Sequence, residues 1–254
     1  MKSFFQSLEG NKVRYLLISG QASVLYGAST FSEDIDLWIL PTRKNIGALV
    51  SALRENNATV YKLTPPLTLE NLKFGHGFHF RLPDEQFEVS YVDVMGKPPR
   101  VSSFTKASAQ SKVMETDWGF LQVVGIPDLV ELKKTRRFAD YDVISNLVKI
   151  RLLSEKSVRP ATLRWALTNS FRVDDVKWIL RTWRTRSSLA MPAGRKWVEM
   201  VARKGGRASP IALEMLSREI AGLQQQDISY WSKIIRQLRT MRRNHTLLEE
   251  GSRL

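Results

Sequence analysis

The sequence predicts an α+β chain: a mixed sheet with flanking helices over residues 1–152, then a mostly helical domain over residues 153–254. Two observations predict it. Short apolar runs separated by turn residues fill the first part, whereas beyond it apolar residues recur three and four apart, the period of a helix with one buried face. The boundary falls between Leu152 and Arg159, ahead of Pro160. A chain of 254 residues with 43% hydrophobic content is large and apolar enough for two modest cores.

In chain order, Val13 to Ser19 is a short apolar strand, Ser19-Gly20 allows a tight turn, and Gln21 to Tyr26 has helical spacing. Backbone N–H groups at such a helix start suit an anion, phosphate above all. Fourteen residues after Gly20 come Asp34 and Asp36, inside the apolar run Ile35, Leu37, Trp38, Ile39, Leu40. In a strand, residues two apart project to the same side, so the two carboxylates stand next to each other. They repel unless a cation lies between them or water bathes a strand end. A divalent metal carrying a nucleoside triphosphate answers the first case, because Mg2+ takes one or two carboxylates plus phosphate oxygens.

The run FHFRLPDEQFEVSYVDV, Phe78 to Val94, reads as two strands joined by a turn at Pro83-Asp84. Asp93 near its end and Glu88 near its middle have opposite parity, so only one of them can face the aspartate pair. In IPDLVELKKTRRFADYDVI, Ile126 to Ile144, Leu129 and Leu132 have helical spacing; this puts Lys133 on a helix with Arg136 and Arg137 near its end. Such basic runs commonly form a solvated helix face.

Further on, VDDVKWILRTWR, SPIALEMLSREIAGL and ISYWSKIIRQLRTMRR are helical, with Asp174-Asp175 and Ser209-Pro210 suited to helix starts. Trp178, Ile179 and Trp183 are expected in a core rather than as platforms for bases. His76 and His79, in GHGFHF, are expected as turn and strand residues, since with no cysteine and one further histidine, His245, a zinc site lacks ligands. No Walker loop is present, and Gly205-Gly206 follows no strand, so a second nucleotide site is not expected.

The formal net charge is +14. It is unevenly spread: residues 1–127 hold 13 basic against 12 acidic residues, residues 128–254 hold 26 against 13. A basic helical half suits a polyanionic partner such as RNA. No run of eighteen apolar residues exists, and MKSFFQSLEG lacks the apolar stretch of a signal peptide, so a soluble cytoplasmic protein without membrane contact is expected. The absence of cysteine excludes disulfides and thiol catalysis.

The Ser19-Gly20 turn, the short helix and the Asp34-x-Asp36 strand together resemble the nucleotidyltransferase-fold superfamily, the polymerase-beta-like fold. The similarity is nearest to its AbiEii-type and MenT-type toxin branch. Two positions depart from the pattern: Ser19 replaces the first of two glycines, and Thr30 stands where relatives often carry an arginine. The resemblance implies that Asp34, Asp36 and Asp93, rather than Glu88, are the catalytic carboxylates, holding Mg2+ or Mn2+. It also implies nucleotide contacts from Ser19, Gly20 and Ser23, with Lys133 approaching the triphosphate, Arg136 or Arg137 adding charge and Asp140 orienting one of these cations. The expected function is transfer of a nucleoside monophosphate from a nucleoside triphosphate to an acceptor hydroxyl, on RNA and tRNA in particular, by a toxin with a cognate antitoxin. The alternatives are nucleotidylation of a protein or small molecule, or a non-catalytic nucleic-acid-binding module with a degenerate site.

Overall fold

The computed structural model describes residues 1–84, 88–184, 187, 190–203 and 209–254. The chain divides into two compact units. The first comprises Met1–Leu25, Ser29–Leu132 and Tyr230–Leu254, the second Tyr26–Ala28 and Lys133–Ser229. The boundary expected near residue 152 lies inside a helix of the second unit. Counted by unit, basic residues outnumber acidic ones 19 to 16 in the first and 20 to 9 in the second.

The first unit opens with α1 (Lys2–Gly10), β1 (Tyr15–Ile18), α2 (Ser19–Leu25), β2 (Asp34–Ile39) and α3 (Arg43–Glu55). Next come β3 (Thr59–Val60), α4 (Leu69–Phe74), β4 (Gly77–Asp84), β5 (Glu88–Met95) and α5 (Phe104–Ala109). The hairpin β6 (Lys112–Thr116) and β7 (Gly119–Val123) and the helix α6 (Ile126–Leu132) follow, and residues from Tyr230 on complete the unit. All seven strands form one mixed sheet in the order β3-β4-β5-β2-β1-β7-β6. β2 runs parallel to β5, and β1 parallel to β7; the other pairs are antiparallel.

Alternation along the central strands separates two environments. Ile35, Leu37 and Ile39 of β2, Val92 and Val94 of β5, and Phe78, Phe80 and Leu82 of β4 are buried. Each such side chain stabilises the fold by about 1.5–3 kcal/mol. The intervening positions Asp34, Asp36, Tyr91, Asp93, Gly77 and His79 are only half-buried. Asn45, buried in the first turn of α3, ties this layer together: its amide bonds Arg14 N (2.7 Å), Arg14 O and Leu40 O (both 3.0 Å).

The hairpin β4–β5 forms, but not with the turn expected at Pro83-Asp84. Both residues lie in β4, opposite Val89 and Glu88, and the connection falls on residues 85–87, outside the described residues. Proline is tolerated at sheet edges, and among the described residues β3 pairs only with Phe80 and Arg81, leaving β4 without a partner strand on that side at Pro83.

The outer edge of β3 is covered by the chain itself. Val60 N donates to Ser252 O and Gly251 N to Val60 O, both at 2.9 Å, and Thr59 bridges Arg253.

The second unit contains α7 (Ala139–Ser154), α8 (Pro160–Asn169), α9 (Val173–Thr182), α10 (Lys196–Arg203) and the beginning of α11 (Pro210–Arg243). α11 starts where expected, with Ser209 Oγ accepting from Ala212 N at 3.3 Å and Pro210 as its first residue. The two helical segments expected after Ser209 form this one continuous helix of 34 residues. Ile179 is fully buried, while Trp178 and Trp183 are half-buried and meet edge to face at 5.2 Å. Arg195 lies between the rings of Phe171 and Trp197, pairs with Glu219 at 2.9 Å, and donates to Ser170 O (3.0 Å) and Leu167 O at the end of α8. A buried guanidinium thus satisfies carbonyls that a helix end leaves without partners.

Candidate functional site

Parallel pairing of β2 with β5 sets Asp36 opposite Asp93 and Asp34 opposite Tyr91. Neighbouring strands lie about 4.8 Å apart, and positions two apart share a side, so the three aspartates occupy one patch of the half-buried face. Glu88 is exposed, has the opposite parity, and adopts a left-handed φ of 61° at the start of β5. Burial holds the Asp34 carboxyl above its ordinary range; the charge of Asp93 pushes it further, while Lys62 draws it back.

One residue of this patch carries no signal of its role in the sequence. His79, on β4, stands opposite Asp93, and its Nδ1 lies 2.8 Å from Asp93 Oδ1. The side chains are 26% and 23% exposed, so the pair is reachable from solvent. A two-residue turn at Pro83-Asp84 would have set His79 opposite Glu88, and the longer connection moves it to Asp93. Beside it, a Cβ at position 77 would lie 3.3 Å from the His79 ring, so Gly77 leaves this edge of the imidazole open.

The segment leading to the patch is constrained at Gly20. A Cβ there would come within 2.8 Å of Ser32 Cβ and closer still to its hydroxyl. Gln21 Nε2 donates to Ser32 O (2.9 Å) and Ser32 Oγ to Asp34 O (3.3 Å), fastening the start of α2 to the entry of β2. Ser19 takes φ of 59°, a left-handed conformation costing a residue with a side chain about 1–2 kcal/mol. Ser23 is fully buried and its hydroxyl donates to Ser19 O at 2.8 Å, so it braces the helix from within. Thr30 is exposed in the loop before β2.

The remaining expected site residues lie in the second unit. Lys133 is not on a helix: α6 ends at Leu132, a non-helical segment follows, and α7 begins at Ala139. The break lets the buried Lys133 ammonium meet the buried Asp140 carboxylate at 3.0 Å. Asp140 also accepts from Thr135 Oγ1 and, at 3.1 Å, from Arg137 Nε, so it orients two cations. The Arg137 side chain is 67% exposed and carries the charge of this cluster outward, while Arg136 is fixed through its backbone to Asp227 and Gln224.

Carboxylate oxygens are the donors Mg2+ and Mn2+ accept, and the backbone register brings three of them to one patch. The residues therefore fit a divalent cation in kind and in register, although among the described residues no three His, Asp or Glu side chains form a group that could hold one as they stand. Gly205-Gly206 lies outside the described residues. Among the described residues no helix is long and apolar enough to cross a membrane. On α11, Arg236, Arg239, Arg242 and Arg243 are exposed and line one surface depression with Thr240.

Comparison with known proteins finds neither a family model nor a curated protein that matches this chain.

Proposed function

We propose that this protein is a metal-dependent nucleotidyltransferase of the polymerase-beta-like superfamily, moving a nucleoside monophosphate from a nucleoside triphosphate to a hydroxyl of RNA. The observation that carries the reading is the register of Asp36 with Asp93 on parallel strands, with Asp34 two residues away on the same side. Asp34, Asp36 and Asp93 would hold Mg2+ or Mn2+. When bound, the cation supplies charge neutralisation at the phosphates and orients the attacking and leaving oxygens. Ser19 and Gly20, which open α2 directly after β1 instead of forming a separate turn, are fastened to the entry of β2 and would present backbone N–H groups to phosphate. Lys133 and Arg137 are cations held by Asp140, and the guanidinium of Arg137, the exposed one of the two, has the chemistry that suits phosphate. The basic excess favours RNA, tRNA included, as acceptor over cationic small molecules. A toxin paired with an antitoxin is the biological setting the resemblance suggests.

The test is incubation of the purified protein with total RNA and each labelled nucleoside triphosphate, with and without Mg2+. Label should enter RNA only with the metal, and Asp36→Ala should abolish it. Labelling that persists in Asp34→Ala/Asp36→Ala would mean that the chemistry lies elsewhere. A second reading, an RNA-binding module without catalysis, is favoured by the two departures from the superfamily pattern, Ser19 for a glycine and Thr30 for an arginine. RNA binding with no label transferred under any metal would select it.

A further inference from the structure

The geometry assigns to His79 the positioning of Asp93, through an Nδ1–H hydrogen bond to Oδ1 that fixes the carboxylate on the open face and leaves Oδ2 as the oxygen for a divalent cation. This rests on the nucleotidyl-transfer reading for the cation, and on its own observations for the hydrogen bond. Those are the opposed positions of the two residues on β4 and β5, the 2.8 Å separation, and side chains only a quarter exposed.

The chemistry follows from position. An aspartate on a strand has two side-chain torsions to settle, and three carboxylates on one patch repel each other, so without a donor Asp93 would turn away from the other two. An imidazole donating from Nδ1 satisfies one oxygen of the carboxylate and leaves the other unengaged by it. His79 is itself held in place: its backbone N–H donates to Thr64 Oγ1 at 3.1 Å, and its carbonyl accepts from Tyr61 N at 2.8 Å. Residues that orient a metal-binding carboxylate in this way govern affinity without touching the metal.

The test uses three replacements on the full chain. Asparagine carries an amide nitrogen where the imidazole has Nδ1, glutamine carries it one bond further out, and alanine carries none. Mn2+ affinity, read by electron paramagnetic resonance of free Mn2+, should fall about tenfold or more in His79→Gln and His79→Ala and be largely restored in His79→Asn. Thermal melting in metal-free buffer establishes that each variant is folded, and the contrast between asparagine and glutamine separates positioning from mere packing. Long-range nitrogen correlation spectra of the wild-type ring should show a proton on Nδ1. If His79→Ala binds Mn2+ like the wild type while Asp36→Asn does not bind it, the positioning role is overturned and the metal site stands. A ring without a proton on Nδ1 overturns it as well. If the wild-type protein binds no Mn2+, with or without a nucleoside triphosphate, the metal-dependent reading falls and takes this role with it.

Discussion

Asp34 and Asp93 raise each other's energy: they lie on adjacent strands, and the charge of Asp93 adds to the burial that already holds the Asp34 carboxyl above its ordinary range. A folded-state carboxyl raised in this way supports stability below the unfolded value of 3.8 and withdraws that support as pH rises through the folded value. Asp34→Asn is therefore expected to raise the melting temperature in metal-free buffer, with a larger gain near about pH 7 than near about pH 4. Melts across that range check it, and a gain independent of pH would show that Asp34 carries no such strain.

His76 provides a dependence of opposite sign. Its ring is fully buried, Nε2 bonds Gln237 at 2.8 Å, and Nδ1 has no hydrogen-bond partner among the described residues. Burial holds its pKa below the ordinary 6.5. The neutral ring's support is complete above 6.5 and fades as pH falls from there through the folded value. The wild-type protein should lose more stability on acidification through this window than His76→Asn does. Equal losses would assign the effect to other groups.

Asp140 holds a buried lysine. Asp140→Leu leaves the Lys133 ammonium without its counter-charge and is expected to destabilise the fold by about 3–5 kcal/mol. Lys133→Met together with Asp140→Leu should recover most of that stability. Chemical denaturation of the two single variants and the double variant measures the coupling, and additive effects would show that the ion pair contributes nothing.

The four exposed arginines of α11 are expected to bind RNA phosphates. Reversing charge at Arg236, Arg239, Arg242 and Arg243 should weaken RNA binding and flatten its salt dependence, by roughly 0.7 in log–log slope for each phosphate of a single strand that the variant no longer neutralises. Triphosphate affinity should change little. An unchanged slope would mark these arginines as a solvated face.

Much of the candidate site was legible because strand parity is local. Asp34 and Asp36 share a side by counting alone, parity leaves either Asp93 or Glu88 to join them and the register of β2 with β5 selects Asp93, and the Ser209-Pro210 start of α11 is written in two adjacent residues. What was hidden depends on distances along the chain that no local pattern records. The alignment of His79 with Asp93 is set by where the β4–β5 connection falls; a turn at Pro83-Asp84 would have aligned it with Glu88, five positions short of its true partner. Lys133 fits a helical pattern because Leu129 and Leu132 keep the period, yet the helix breaks after Leu132, and the ammonium meets Asp140, seven residues on. The residues that cover β3 carry no strand signal at all.

That cover has a kinetic meaning. Val60 and Gly251 stand roughly 190 positions apart, and contacts between residues so distant in sequence slow folding because the loop between them must close first. Closing the loop costs little extra once made, since each doubling of loop length adds only about 0.6 kcal/mol. Until residues 251–253 arrive, however, β3 presents an open row of N–H and C=O groups, the template on which a second chain can add. Removing the bonds from residues 251–253 is thus expected to favour association of molecules through the β3 edge, a hazard that belongs to incompletely folded chains more than to the finished fold.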